Sequence, residues 1–166
     1  STAMYSLDKR IFHHIKKIKK SKRKEIELSD AVRLLAKEQK IYCVAAKQWL
    51  PVGYPQDLLK ADKALRKNKN AIGKNSKING KVSNSSIGDE CAVNGTVNNS
   101  IIMDNATIDS NSIVEDSIIA SGVYFKGKAY NAVIADKAKA KNVVVKDCKI
   151  WPNKTVSNKT IMHDLK

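Results

Sequence analysis

The sequence predicts a mainly β protein in which a left-handed parallel β-helix of hexapeptide repeats follows a short α/β segment. Three observations support this prediction. Rows of 15 residues align between residues 72 and 116. Within each row, isolated aliphatic side chains stand six residues apart, with a small residue between them. Asn, Gly, Ser and Asp fill the other positions, and these residues suit turns with unusual backbone angles.

The repeat is clearest in the rows 72–86, 87–101 and 102–116. Three sets of positions align in these rows: Ile72, Ile87 and Ile102; Ile78, Val93 and Ile108; and Val82, Val97 and Ser112. The small residues are Ser76, Cys91 and Ala106. After an apparent two-residue insertion, the pattern restarts at Ile119 and again at Ile134.

This period has a physical meaning, because a coil that cannot bury its own apolar face must stack on its neighbours. The aliphatic residues are predicted to point into a tube, with the small residues inside its corner. A coil of three hexapeptides would need 18 residues, so one face must be short. The alternative, an irregular Asn-rich loop, does not explain three aligned rows. Phe125 either fills the tube or, with Val123 and Tyr130, thickens one coil for an external contact.

The residues before the repeats carry helical patterns. Ile11, Ile15 and Ile18 fall on one face of a helix for which Asp8 is a plausible N-cap. A second helix is predicted with Ser29 as its cap and with Val32, Leu35 and Ala36 on one face. Residues 40–46 form a short apolar run typical of a strand.

A third helix is predicted to begin near Pro55, with Asp57 in its first turn. Leu58, Ala61 and Leu65 repeat at helical spacing and are expected to share one face. We therefore divide the chain into a tag remnant (1–3), an α/β segment (4–70) and a β-helix domain (71–166).

The net charge of +15 could indicate nucleic-acid binding, but the charge is unevenly distributed. No Lys or Arg occurs between Lys81 and Lys126, whereas that stretch contains six acidic residues. Phosphate contacts require basic side chains, so no nucleic-acid partner is expected. The basic residues around Ile15 could form a membrane- or RNA-binding helix, but a solvated helix face is the more common explanation.

The composition places the protein in a soluble class. No apolar run approaches the ~18 residues that span a membrane, and no secretory leader is visible, so no membrane partner is expected. Cys43, Cys91 and Cys148 are far apart and form no C-x-x-C pair. They are expected to be core thiols in a reducing cytoplasm.

Two segments of the first half resemble the end of the catalytic domain of sugar-1-phosphate nucleotidylyltransferases. They are EIELSDAVRLL (25–35) and WLPVGYPQDLLKAD (49–62). In that family a hexapeptide β-helix often follows directly, and IWPNKTV (150–156) resembles a segment near the end of such helices. The resemblance implies a parent enzyme that joins a nucleoside triphosphate to a sugar-1-phosphate, with Mg²⁺ as its metal.

The resemblance also indicates where this chain departs from the family. The Gly-rich phosphate loop is absent from the sequence, so no catalytic residue is assigned and this chain alone is expected to be inactive. Pro51 stands where many members carry a metal-binding Asp, so no metal ligand is assigned and no cofactor is expected for this chain. Either Asp57 or a residue elsewhere supplies that charge, or the parent is divergent. By resemblance, Glu25, Trp49 and Gly53 are candidate substrate-binding residues.

Two other functions remain open at this stage. A non-catalytic assembly subunit is possible, because flat β-helix faces suit stacking between copies, and a homo-oligomer is expected in either case. A hexapeptide acyltransferase is less favoured. Such enzymes need a His general base, whereas the three histidines, His13, His14 and His163, lie outside the repeats.

Overall fold

The computed structural model of the chain describes residues 4–166, and the tag-remnant interpretation of residues 1–3 lies outside the described residues. The chain divides into two compact units, residues 1–49 and residues 50–166. The predicted boundary near residue 70 remains a prediction.

In the described part of the first unit, residues 4–49, there are two helices, Ile11–Ile15 (α1) and Leu28–Glu38 (α2). Ile11, Ala31 and Leu35 form its buried core. Ile15 and Ile18 pack against this core, as the helical spacing predicts. His14 is also buried, and its Nε2 lies 3.3 Å from a Glu38 carboxylate oxygen.

Several local predictions in this unit are wrong. Ser29 lies inside α2 and does not cap it, because Glu27 occupies the N-cap position. Ala36 is exposed, since the buried face of α2 passes through Ala31 and Leu35. Residues 40–46 form no strand. A single extended segment gains no ladder hydrogen bonds without a neighbouring strand. Cys43 in this segment is exposed, so its prediction as a core thiol is wrong.

The second unit begins with helix α3 (Pro55–Arg66) and continues with fifteen strands. The strands are Ala71–Ile72 (β1), Lys77–Ile78 (β2), Lys81–Ser83 (β3), Ser86–Ile87 (β4), Ala92–Val93 (β5), Thr96–Asn98 (β6), Ile101–Ile102 (β7), Thr107–Ile108 (β8), Ile113–Glu115 (β9), Ile118–Ile119 (β10), Tyr124–Tyr130 (β11), Val133–Ile134 (β12), Lys139–Lys146 (β13), Lys149–Ile150 (β14) and Thr155–Ile161 (β15).

The strands stack in parallel as a β-helix of about six turns, which confirms the predicted fold class. The first face runs in the order β1-β4-β7-β10-β12-β14. The second and third faces merge in the later turns, because β11 and β13 are long enough to continue around the corner between them. Ile72 pairs with Ile87, and Ile87 with Ile102, as the 15-residue period predicts.

The interior is one continuous apolar column. Val93, Ile102, Ile108 and their counterparts in later coils are buried, and Phe125 is 0% exposed. Phe125 therefore fills the tube and does not make an external contact. The small residues Cys91 and Ala106 are also buried at their corner, as predicted.

The short side of the coil lies between the second and third faces. The third face begins four residues after the second in the early coils, from Val93 to Val97, but six residues later in the next coil, from Ile108 to Val114. Val97 thus pairs with Val114, and the predicted alignment of Ser112 with Val97 is wrong. The two extra residues lie before Ser112, because the chain bulges outward at that corner.

Left-handed backbone conformations stack along the corners. At the corner leading to the first face, five residues with φ between 45° and 54° occupy successive coils: Asn84, Asn99, Asp116, Asn131 and Asp147. Asn and Asp tolerate this conformation better than other non-glycine residues. Their side chains also form ladders; Asn84 Nδ2 donates to Asn99 Oδ1 at 3.0 Å. These residue types therefore serve the turns, as the sequence predicts.

Helix α3 lies against the first face of the β-helix. Pro55 and Leu59 share a crevice of about 10 Å³ with Ile118 and Val133. Ile118 points away from the tube yet is only 4% exposed, because α3 covers it. Leu65 is 75% exposed, so its predicted place on the buried face of this helix is wrong.

Candidate functional site

The structure places Trp49 beside an apolar cavity of the first unit. The cavity has a volume of about 590 Å³ and is lined by residues 4–7, Val32, residues 41–44, Ala46 and Trp49. Trp49 is 48% exposed. Such a lining offers apolar contact and a few hydroxyl groups, which suits a flat or partly apolar group.

Glu25 lies outside that cavity lining. Its carboxylate is 65% exposed and lies 3.9 Å from an Arg23 guanidinium nitrogen. Its carbonyl oxygen accepts a hydrogen bond from the amide of Ser21 at 2.8 Å. The structure thus shows Glu25 closing a local turn, and its substrate-binding role remains a prediction from resemblance.

Gly53 belongs to the second unit and lies just before helix α3. Its amide donates to Asp57 Oδ2 at 3.3 Å, and the amide of Tyr54 donates to the same oxygen at 3.2 Å. Asp57 therefore caps the first turn of the helix, where a carboxylate is favoured. Pro55 occupies the first helical turn, as predicted.

The same contacts test whether these residues could hold the Mg²⁺ implied by the resemblance. One Asp57 oxygen accepts two amides, and the other lies 3.9 Å from Lys60 Nζ. Pro51 has no side-chain ligand atom. Within residues 4–166, no group of three or more His, Cys, Asp or Glu side chains could hold a metal ion. The described residues do not fit a magnesium site.

Sequence reasoning missed a polar joint between α3 and the β-helix. Arg66 Nε donates to Asp62 Oδ2 at 2.6 Å, and the two side chains are only 6% and 16% exposed. Arg66 Nη2 also donates to the carbonyl of Asn84 at 3.0 Å, while Asp62 Oδ1 accepts from the Ser86 hydroxyl. The i, i+4 spacing of Asp62 and Arg66 was the available signal.

A second polar cluster lies on the β-helix surface. Asp109 Oδ2 accepts the Tyr124 hydroxyl at 2.6 Å and lies 3.6 Å from Lys126 Nζ. The Tyr124 hydrogen bond lowers the pKa of Asp109, and the same bond raises the pKa of Tyr124. An ionised carboxylate with its hydrogen bonds satisfied is a poor proton acceptor, so this cluster is structural.

The buried thiols are also unsuited to nucleophilic chemistry. Burial raises the pKa of both Cys91 and Cys148. Cys91 Sγ lies 3.1 Å from the Met103 carbonyl, and Cys148 Sγ lies 3.3 Å from that of Ile161. Because the thiolate is the reactive form, both residues act as core residues. Within residues 4–166, no helix is long and apolar enough to cross a membrane.

The fold agrees with comparisons to known proteins. Residues 61–165 match the family model described as the GMPPB C-terminal domain, and the chain belongs to that family. Residues 1–68 match the model described as nucleotidyl transferase. The two matches overlap at residues 61–68, across the C-terminal end of α3. The resemblance to sugar-1-phosphate nucleotidylyltransferases that carry a β-helix is thereby confirmed.

Curated relatives agree with this assignment. The chain is 42% identical over 66 residues to the bifunctional protein GlmU of Methanocaldococcus jannaschii, covering 39% of this chain and 16% of the relative. It is 30% identical over 89 residues to a bifunctional sugar-1-phosphate nucleotidylyltransferase/acetyltransferase of Sulfurisphaera tokodaii, covering 49% and 22%. The chain thus spans about a fifth of these relatives' length.

Proposed function

We propose that the chain is the C-terminal part of a sugar-1-phosphate nucleotidylyltransferase. The parent protein would join a nucleoside triphosphate to a sugar-1-phosphate and release pyrophosphate. The order of the two family matches supports this proposal most directly. The nucleotidyl-transferase match at residues 1–68 is followed by the GMPPB C-terminal domain match at residues 61–165, which includes the end of α3 and the β-helix.

The β-helix would serve assembly or regulation of the parent. Among residues 71–166 it carries no exposed cysteine and no group of three or more His, Cys, Asp or Glu side chains that could hold a metal ion, whereas its flat faces are suited to contact with other copies. We therefore propose a homo-oligomer. The free buried thiols Cys91 and Cys148 support a cytoplasmic location.

Mg²⁺ would neutralise phosphate charge in the parent's reaction. Because Asp57 is engaged as a helix cap and Pro51 offers no ligand, none of residues 4–166 is assigned as a ligand of this metal. Glu25, Trp49 and Gly53 remain proposed sugar-phosphate contacts. Of the three, Trp49 has the strongest structural support, because it lines a cavity.

A pyrophosphate-release assay tests the enzymatic proposal. The full-length protein from the natural gene would be supplied with nucleoside triphosphates and a panel of sugar-1-phosphates in the presence of Mg²⁺. We expect turnover with at least one pair. A Trp49→Ala variant should raise the KM for the sugar-1-phosphate. No turnover with any pair would contradict the proposal.

Pro51 favours a second candidate, a non-catalytic assembly subunit. Proline replaces a residue type that could ligate a metal, and the described residues supply no substitute. This candidate predicts no pyrophosphate release even by the full-length protein, but a defined oligomer in solution. A strict monomer by light scattering would contradict it, whereas turnover would favour the enzyme.

The name of the Sulfurisphaera relative also includes acetyltransferase, which makes acyl transfer a third candidate. Strands β1–β15 contain no histidine to act as general base. We therefore expect no consumption of acetyl-CoA by this chain in the presence of amino-sugar phosphates. Measurable thiol release from acetyl-CoA would reverse this order of candidates.

A further inference from the structure

Six outward side chains form one surface on the third face of the β-helix, in the neighbouring rungs of β9, β11 and β13. Val114, Ala129 and Val145 point into the tube and are 0% exposed. Successive side chains of a strand point to opposite sides, so the residues before and after each of these three point outward. We call this set the Tyr130 surface: Ile113 and Glu115, Lys128 and Tyr130, and Val144 and Lys146.

The Tyr130 surface lies away from helix α3. Within residues 50–166, α3 is the only helix, and it lies against the first face. Lys128 and Lys146 are exposed, and Ile113, Tyr130 and Val144 are half-buried. The surface therefore presents apolar and charged side chains together on a flat sheet.

An acidic and a basic residue flank Tyr130 in one column of this surface. Glu115 lies one rung before Tyr130, and Lys146 lies one rung after it. Neighbouring strands are about 4.8 Å apart, so about 10 Å separates the backbones of the two charged residues. Within residues 4–166, neither Glu115 nor Lys146 has an oppositely charged group within 4 Å. Both charges are thus unpaired within the described chain.

The Tyr130 surface is complementary to its own copy. A two-fold axis along the strand at Tyr130 would make the rungs of a second copy run in the opposite direction, while each column faces itself. Glu115 then lies opposite Lys146 of the second copy, and Ile113 lies opposite Val144. Tyr130 meets its own copy on the axis, as aromatic side chains often do in interfaces.

A parallel arrangement of two copies fits less well. With the two-fold axis along the β-helix, each rung would face the same rung of the second copy and the two columns would exchange places. Ile113 would then lie opposite Glu115, and Val144 would lie opposite Lys146. Burial of a charge without a partner is costly, so the side chains favour the antiparallel arrangement.

The other two faces are less suited to this contact. Helix α3 covers the first face. On the second face, the Asp109 carboxylate already accepts the Tyr124 hydroxyl at 2.6 Å and lies 3.6 Å from Lys126 Nζ. The exposed Lys139 and Lys141 of that face would meet no free acidic group there.

We propose that the Tyr130 surface binds a second copy of this chain in the antiparallel arrangement. The proposal deepens, and rests on, the homo-oligomer proposed above. Glu115 and Lys146 form two equivalent ion pairs across the interface, and the apolar residues between them are removed from water. Lys128 is the one residue of the surface that faces a like charge, because it lies opposite its own copy.

Sedimentation equilibrium of the intact chain tests the contact. We expect a concentration-dependent dimer. E115K and K146E should each weaken dimerisation by roughly tenfold or more, because each reversal places like charges opposite each other twice in the dimer. E90K and K139E are the matched controls, since both residues are exposed and lie outside the Tyr130 surface. K128Q should tighten the dimer, because it removes the like-charge contact.

Mixing the two reversed variants tests the symmetry. An E115K chain and a K146E chain place opposite charges across both ends of a mixed dimer, so an equimolar mixture should dimerise about as tightly as the unchanged chain. No effect within a single chain predicts this recovery. The recovery would also show that both variants are folded.

Three outcomes would overturn the proposal, and they differ in what else they affect. A dimer that E115K and K146E leave unchanged would refute the Tyr130 surface but keep the homo-oligomer. A mixture that stays monomeric would refute the antiparallel arrangement. A strict monomer at every concentration would refute the homo-oligomer as well, whereas the pyrophosphate-release assay tests the enzymatic proposal independently.

Discussion

Asp62 and Arg66 form a nearly buried salt bridge one helical turn apart, at the place where helix α3 meets the β-helix. Their remaining atoms bind Ser86 and the Asn84 carbonyl, so the pair joins the helix to the first two coils. Removal of one partner from a buried pair leaves an uncompensated charge.

We therefore expect Arg66→Met to destabilise the second unit by about 3 kcal/mol, the lower end of the usual cost of breaking a buried pair. Urea unfolding followed by the β-sheet signal of circular dichroism measures this change. Arg33→Met on α2 is the matched control. The Arg33 side chain is 74% exposed and lies 3.1 Å from Asp30, and exposed pairs contribute little. Equal effects of the two substitutions would contradict the assigned role of Arg66.

Phe125 is expected to be the most costly truncation in the apolar column. Its side chain is fully buried between Ile108 and Ala140 on neighbouring coils. Phe125→Ala should lower the free energy of unfolding by about 3–5 kcal/mol, because it removes apolar contact and leaves a cavity. Phe12→Ala should change it little, since Phe12 is 65% exposed. Urea unfolding of both variants checks the difference.

The Ser100 hydroxyl links two neighbouring coils. It donates to the Asn98 carbonyl at 2.7 Å and accepts the Ser117 amide at 3.0 Å, in a fully buried position. Ser100→Ala should cost about 1–3 kcal/mol, because the Ser117 amide then loses its acceptor in the interior. Ser157→Ala, at an exposed position on β15, is the control. A neutral Ser100→Ala variant would indicate that water replaces the hydroxyl.

The hydrogen bond from Tyr124 to Asp109 predicts a pH dependence. It lowers the folded-state pKa of Asp109 below its ordinary value, so its contribution to stability is present above the ordinary pKa of about 3.9. That contribution is lost as the pH falls through the folded-state pKa. NMR titration of the Asp109 carboxylate should show a higher pKa in Tyr124→Phe. Tyr130→Phe should leave the Asp109 titration unchanged, since no contact joins Tyr130 to Asp109 among the described residues.

The sequence predicts the β-helix well because its period depends on inward-pointing side chains. Ile87 and Ile102 pair as their spacing requires. The predicted position of the two-residue insertion, just before Ile119, is wrong, because an outward bulge at residues 109–112 leaves the pattern of inward-pointing side chains almost unchanged. Val114 carries the inward position two residues beyond Ser112, which donates hydrogen bonds from the corner.

Predictions before residue 70 were less accurate because they depend on neighbouring chain segments. Residues 40–46 have strand composition but no strand beside them. The exposed position of Leu65 follows from the binding of Asp62 and Arg66 to the β-helix, which determines the inner face of α3. The pairs Ile101–Ile102 and Ile118–Ile119 could have predicted that the first face is covered on its outer side. Two adjacent aliphatic residues point to opposite sides of a strand, and both residues of each pair are buried.

The substrate-site residues could be proposed only from resemblance. Gly53 is explained by the turn before α3, and Glu25 is exposed and lies beside Arg23. Trp49 alone lines a cavity. A tryptophan and a glycine in a short motif do not specify a ligand, because the same residues serve packing and turns.

The length of helix α3 matches the number of β-helix coils that it lies across. Its 12 residues extend about 18 Å, and its contacts run from Asn84 to Val133 across successive rungs about 4.8 Å apart. The length of the helix therefore determines how many rungs of the β-helix it can contact. Excision of one whole repeat, such as 87–101, would preserve the register of every remaining strand but would place β14 where β12 now meets the N-terminal end of the helix.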